Sequence, residues 1–274
     1  MKNILTVQEA FELSQKDNVI ILDASQDGSK VGMTAQHPDL MIEGARLFDI
    51  KDVFSDTTSP LPNMFPSEEH FNKNAQDLGI NNKDHILIYD NLGIFTSPRA
   101  WWMFNVMSHD QVSVINGGLD AWISAGYPTE ARLQHTFEKG DFKGKKKDKN
   151  IVDADFIRED IHTFSHQIID ARGKGRFDGS IEEPRVGMRS GHIPGAKNIP
   201  FKNLLIDGQY KSKEERKEVF DSLQLDKNKP IVFSCGSGIT ACVDLLGASD
   251  IIENELKIYD GSWTEWGASD WPIE

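Results

Sequence analysis

Cys235 closes an apolar run, Pro230-Ile231-Val232-Phe233-Ser234, and opens a loop of small residues, Gly236-Ser237-Gly238-Ile239-Thr240-Ala241, ahead of a helical pattern. A sulfur nucleophile reacts as its anion, and backbone N–H groups converging from a tight loop and a helix N-terminus stabilise that anion without a charged side chain. A cysteine at a strand-to-helix turn therefore predicts nucleophilic thiol chemistry. The small residues of the loop are expected to leave the sulfur uncovered. Cys242, by contrast, falls among Ala241, Val243, Leu245 and Leu246 and reads as core packing. On one continuous helix the two sulfurs would stand roughly 10 Å apart, beyond disulfide reach.

An anionic reactant needs cationic partners, and residues 170 to 200 gather Arg172, Lys174, Arg176, Arg185, Arg189 and Lys197 against Asp170, Asp178, Glu182 and Glu183. Elsewhere the balance is acidic, with a net charge of −13 overall and −9 within residues 1 to 136. Nucleic-acid binding depends on clustered Lys and Arg, so this balance excludes it. His162 and His166 have the i, i+4 spacing of a helical metal pair, but Thr163 stands where a zinc protease needs Glu and no third ligand follows. Gly173-Lys174-Gly175 is too short a fragment for a nucleotide loop. His192 sits in a turn shaped by Pro194 and Gly195, and Arg172 reads as a tie between loops. Neither a metal nor a cofactor is called for.

The elements that position Cys235 occur twice. Val19-Ile20-Ile21-Leu22-Asp23-Ala24 matches Gln167-Ile168-Ile169-Asp170-Ala171-Arg172, and His85-Ile86-Leu87-Ile88-Tyr89-Asp90 matches Pro230-Ile231-Val232-Phe233-Ser234-Cys235. Glu43-Gly44-Ala45-Arg46 resembles Pro194-Gly195-Ala196-Lys197, and Asn116-Gly117-Gly118-Leu119-Asp120-Ala121-Trp122 pairs with Asp260-Gly261-Ser262-Trp263-Thr264-Glu265-Trp266. Short apolar runs alternate with longer amphipathic stretches such as Pro98 to Met107 and Lys213 to Leu223. That alternation predicts an α/β fold: tandem duplicated domains, each a mostly parallel sheet with helices on both faces. We place a first domain at residues 1–136, a linker at 137–150 whose Lys-rich part, Lys139 to Asn150, has almost no apolar content and is not expected to contribute to a core, and a second domain at 151–274. Asp90 stands at the cysteine position of the first half, so only the second half is expected to be catalytic. The amino-terminal stretch has neither the apolar core nor the cleavage site of a secretory signal, no segment looks membrane-spanning, and a cytoplasmic location is expected.

These residues resemble the two-domain rhodanese superfamily, most closely its 3-mercaptopyruvate sulfurtransferase branch. The resemblance spans nearly the whole chain. It is carried by Cys235-Gly236-Ser237-Gly238-Ile239-Thr240-Ala241, Gly191-His192-Ile193-Pro194-Gly195-Ala196, Tyr259-Asp260-Gly261-Ser262-Trp263-Thr264-Glu265-Trp266 and Ser97-Pro98-Arg99-Ala100-Trp101-Trp102. It implies an active site between the domains, a Cys235 persulfide formed from 3-mercaptopyruvate with release of pyruvate, and transfer to a thiol, such as a reduced thioredoxin, or to cyanide. It further implies Arg176 and Arg185 as substrate-binding groups, Ser237 as a second catalytic residue, and the loop Gly236, Ser237, Gly238, Ile239, Thr240 as the cradle of the persulfide. Some relatives are proposed to complete a relay with a histidine where this chain has Asn63; an amide can orient a substrate but is a poor base, so no relay is assigned. The first half also reads Leu40-Met41-Ile42-Glu43 where the second has a His-Ile-Pro turn, and a local difference is expected there.

Other chemistries are weaker. A cysteine phosphatase needs an arginine six residues after its nucleophile, and Ala241 occupies that position. A non-catalytic persulfide carrier has no evident need for Arg176 and Arg185. Thiosulfate:cyanide sulfurtransferase, the nearest rival, tends to carry cationic side chains directly after the cysteine, where this chain has neutral Gly236 and Ser237. A 2-oxo acid presents one carboxylate and one carbonyl, which a planar guanidinium fork matches well.

Overall fold

The computed structural model describes residues 2–29 and 32–274; Met1, part of the amino-terminal stretch read above, lies outside them. The chain divides into two compact units. The first comprises the chain up to Thr57, Phe65–Lys147 and Asp207–Gln209; the second comprises Thr58–Met64, Asp148–Ile206 and Tyr210–Glu274.

In the first unit the order is β1 (Ile4–Leu5), α1 (Val7–Ser14), β2 (Val19–Asp23), β3 (Leu40–Ile42), β4 (Arg46–Leu47), α2 (Glu68–Asp77), β5 (His85–Tyr89), α3 (Ser97–Val106), β6 (Val112–Ile115), α4 (Gly118–Ser124) and β7 (Thr129–Ala131). Its five-stranded sheet runs β1-β6-β5-β2-β4, every pair parallel. The second half adds β8 (Ile151–Val152), α5 (Ala154–Thr163), β9 (Gln167–Asp170), α6 (Lys174–Phe177), β10 (Lys197–Asn198), β11 (Leu205–Ile206), β12 (Gln209–Tyr210), α7 (Lys213–Asp221), β13 (Ile231–Ser234), α8 (Thr240–Ala248), β14 (Leu256–Tyr259) and α9 (Ser262–Trp266). Its sheet runs β8-β14-β13-β9-β10, again all parallel. The two sheets have one strand order, as the repeats require, and β5 and β13 hold the central place in each.

The central strands are buried along their whole length, which is why they read as unbroken apolar runs. In the first unit Leu87 and Tyr89 pack with Leu5, Ile115, Leu119 and Trp122; in the second Val232 packs with Val152, Ile168, Tyr259, Trp263 and Trp266. Local chemistry sets the helix starts. Thr6 with Glu9 and Ser212 with Glu215 form reciprocal capping boxes, and Asp153 caps α5. The turn that differs in sequence keeps one pairing mode: Leu40–Ile42 pairs antiparallel with Thr129–Ala131 over three residues, and His192 exchanges two backbone hydrogen bonds with Glu274.

The Lys-rich stretch does contribute to a core, contrary to expectation. Phe142 is fully buried, stacked edge-on against Phe104 and close to Phe71. The amides of Asn72, Gln76 and Asn82 bond the backbone from Asp141 to Gly144, so the chain on either side of Phe142 is held by polar side chains of the first unit. Among the described residues, no helix is long and apolar enough to cross a membrane.

Candidate active site

Cys235 is the first residue after β13, the central strand of the second sheet, and is only 1% exposed. The small flanking residues therefore do not uncover the sulfur as expected. The segment after β14 fastens the backbone of the loop. Ser262, held at φ 50, accepts the Cys235 N–H on its hydroxyl (3.2 Å) and donates to the Tyr259 carbonyl (2.8 Å). The amides of Trp263 and Thr264 then donate to the carbonyls of Cys235 and Gly236, each at 2.9 Å. The loop enters α8 with Gly238 at φ 76, a conformation that suits glycine. No side chain caps α8, in contrast to α1, α5 and α7.

The repeat shows what such a loop is shaped to hold. Asp90, at the cysteine position of the first unit, is fully buried. Its carboxylate accepts five hydrogen bonds, from the amides of Leu92, Phe95, Thr96 and Ser97 and from the Ser97 hydroxyl, at 2.6 to 3.0 Å. A strand-loop-helix turn of this kind thus surrounds a negative charge with backbone donors.

Arg176, on α6, lies over the Cys235 loop: a Cβ added to Gly236 would stand 3.3 Å from its Nη2. A side chain at position 236 would crowd the guanidinium, so glycine there permits the approach. Yet one edge of the Arg176 fork is occupied, because Nε and Nη2 donate to the Glu183 carboxylate at 3.0 and 2.6 Å. Three N–H donors, both of Nη1 and one of Nη2, are left for a ligand. Glu183 also accepts from Arg172 (2.8 Å), and Arg172 in turn chelates Asp170, donates to the Gly191 carbonyl and sits 4.1 Å from the Trp263 ring. Burial lowers the basicity of Arg172, and the charges of Asp170 and Glu183 outweigh it, so the net shift is upward. The structure thus makes Arg172 a tie between loops.

Arg185 is half-buried and has one hydrogen bond among the described residues, from Nη1 to the Thr264 hydroxyl. Its Nε–Nη2 edge is open, the geometry a carboxylate can meet with both oxygens. Burial pulls its guanidinium below the ordinary value; Cys235 opposes that, Arg176 adds to it, and Glu183 opposes it, which places all three within electrostatic reach. Ser237 is half-buried, and Asn63 Nδ2 donates to both its hydroxyl and its carbonyl oxygen at 3.2 Å. Ile239 and Thr240 are buried at the entrance of α8. The expected residues Cys235, Gly236, Ser237, Gly238, Ile239 and Thr240 therefore form one loop, with Arg176 against it and Arg185 joined to it through Thr264.

Other sequence signals resolve as structural. His166 lies beyond the end of α5, so it does not share a helix with His162, and its Nδ1 is 2.9 Å from Asp160 Oδ1. His192 stacks on Phe177 at 3.8 Å, its Nδ1 2.9 Å from the Phe177 carbonyl. The Cys242 thiol donates to the Gly238 carbonyl within the core. Two participants carried no sequence signal for their contacts: Glu183, which joins Arg172 to Arg176, and Thr264, which bridges Arg185 to the loop; on α8 Asp244 is fully buried with neither carboxylate oxygen hydrogen-bonded.

Two parallel sheets with the same strand order, one ending at a buried cysteine under a pair of arginines, define a duplicated α/β domain of the kind that the rhodanese-like profile describes. That profile matches residues 6–125 and again residues 153–269, and the chain belongs to the rhodanese-like domain family. Among its relatives is the 3-mercaptopyruvate sulfurtransferase of Mus musculus, 40% identical over 266 residues, covering 95% of this chain and 89% of the relative. The thiosulfate sulfurtransferase of Rattus norvegicus is 39% identical over 229 residues, covering 82% and 76%. The crystal structure of SseA from Escherichia coli, described with the mechanism of 3-mercaptopyruvate sulfotransferases, superposes with a TM-score of 0.83 at 33% identity, covering 96% of this chain and 99% of that one.

Proposed function

We propose that this protein is a sulfurtransferase that takes sulfur from 3-mercaptopyruvate onto Cys235 and passes it to a thiol or to cyanide. The observation that carries the reading is the joining of Cys235, the Arg176 Nη1 and the open Arg185 edge through one loop, supported by relatives of that activity at 40% identity. In the first step the Cys235 thiolate attacks the donor sulfur; the S–S bond forms, the C3–S bond breaks, and the electron pair passes to C3 as the enolate of pyruvate. A proton then returns to C3, leaving pyruvate and a Cys235 persulfide. An acceptor thiolate next attacks the outer sulfur and restores the Cys235 thiolate. Splitting the transfer through a covalent intermediate lowers each barrier.

In this reading Arg185 clamps the donor carboxylate, Arg176 Nη1 reaches its carbonyl side, and backbone donors around the loop hold the sulfur anion. Because Asn63 donates to Ser237 Oγ, the Ser237 proton is directed elsewhere, and Ser237 serves as a donor to the departing enolate. The acceptor is a cellular thiol kept reduced, which agrees with a cytoplasmic location. Thiosulfate is the second donor to consider, given the similarity to a thiosulfate sulfurtransferase. Mass spectrometry after exposure to each donor separates the two. One sulfur added at Cys235 by 3-mercaptopyruvate is the expected result; loading by thiosulfate alone would overturn the donor assignment.

A further inference from the structure

We propose that Thr264 is a positioning residue that sets where Arg185 stands relative to the Cys235 loop, and thereby how the donor's carboxylate is bound. The inference rests on the sulfurtransferase reading and concerns a residue outside the loop itself. Thr264 lies in α9, and its backbone N–H donates to the Gly236 carbonyl at 2.9 Å. Its hydroxyl donates to the same carbonyl at 2.5 Å. A hydroxyl has one proton, so the Thr264 oxygen can act toward Arg185 only as an acceptor, and Arg185 Nη1 donates to it. The result is a directed chain from guanidinium to hydroxyl to the carbonyl next to the nucleophile.

Nothing else among the described residues bonds the Arg185 guanidinium. It belongs to a segment whose neighbours Ile181 and Val186 are 61% and 105% exposed, so its position is not imposed by packing of the chain around it. A long, rotamer-rich side chain held at one nitrogen keeps its opposite edge, Nε and Nη2, in one orientation. Thr264 thus converts a mobile charge into an oriented fork. The backbone N–H of Thr264 persists in Val, Ser or Ala, so removing the hydroxyl tests the side-chain link while the backbone bond to the loop remains.

The experiment compares Thr264→Val, which keeps shape and removes the hydroxyl, with Thr264→Ser, which restores it, each alone and combined with Arg185→Ala. Donor KM and kcat are read for 3-mercaptopyruvate, and Tm is followed alongside. Thr264→Val is expected to raise KM about tenfold, the effect of about 1.4 kcal/mol in a hydrogen bond to a charged group, with kcat changed less than KM. Thr264→Ser is expected to stay near the parent, and the Val substitution to change KM less than about twofold once Arg185 is gone. An unchanged KM in Thr264→Val, a full additive loss on Arg185→Ala, or an Arg185→Ala variant with parental KM would each overturn the proposal. Thr264→Ala, measured in the same way, replaces Thr264→Val should the latter fail to fold. Cys235→Ser separates the two levels: turnover surviving in it would refute the sulfurtransferase reading, whereas its loss beside an insensitive Thr264 would refute only the positioning role.

Discussion

Cys235 and Arg185 act on different quantities, and single substitutions separate them. Cys235→Ser should remove turnover and the added sulfur seen by mass spectrometry while leaving the fold, since the site is held through the Cys235 and Gly236 backbone by the Ser262 hydroxyl and the Trp263 and Thr264 amides. Arg185→Ala should raise donor KM by about tenfold to a hundredfold, the range of a charge-assisted hydrogen bond. Arg176→Ala should raise KM less, because its Nε–Nη2 edge is already taken by Glu183; equal effects in steady-state kinetics would contradict that ordering. Much of this site was legible from the chain. Cys235 announced itself by its flanks, and the two arginines by resemblance. Asn63 was marked by the same resemblance; Glu183 and Thr264 did not announce their contacts, because their partners lie 7 and 79 residues away and a hydrogen bond across a fold leaves no mark on local pattern.

At the level of elements, α8 combines a catalytic entrance with an unfavourable interior. Burial drives the Asp244 carboxyl well above the usual carboxylate value, with the charges of Cys235 and Asp170 adding to it, so Asp244 is held as the neutral acid. The sign follows from linkage. The unfolded chain releases this proton near 3.8 and the folded chain only at higher pH, so the stability associated with Asp244 is full below 3.8 and declines as pH rises above it. Asp244→Asn has no such proton to lose, and its gain in Tm over the parent should be small at pH 5 and larger at pH 8. A constant difference in melting scans at the two values would show that Asp244 does not titrate in this way. The strands around α8 were readable as apolar runs and the helices as amphipathic stretches, α3 and α7 falling within two residues of expectation. A lone aspartate among Val243, Leu245 and Leu246 gave no hint of its isolation, since burial of a particular face is decided by the sheet beneath it.

The molecule as a whole is two copies of one plan with different loads. The first copy has a large aromatic core, and Phe142 completes it from a stretch that composition assigns to a linker. Composition failed there because nine polar residues and two glycines of Lys139 to Asn150 surround one apolar side chain, whose ring partners Phe71 and Phe104 lie 71 and 38 positions earlier. Phe142→Ala should cost about 3–5 kcal/mol, the usual range for truncating a buried ring, visible as a lower denaturant midpoint, while Cys235 still takes up sulfur below that midpoint. The repeat itself was the most legible feature, and the common strand order bears it out. The contrast between Asp90 and Cys235 has one more consequence. A turn built to enclose negative charge is complete in the first copy at the moment of folding, because the chain brings its own counter-ion. In the second copy that completion is postponed to the chemistry, so the resistance of this half to heat should vary through the catalytic cycle: the sulfur-loaded protein should melt above the same protein unloaded, and calorimetry would record turnover as a change in endurance.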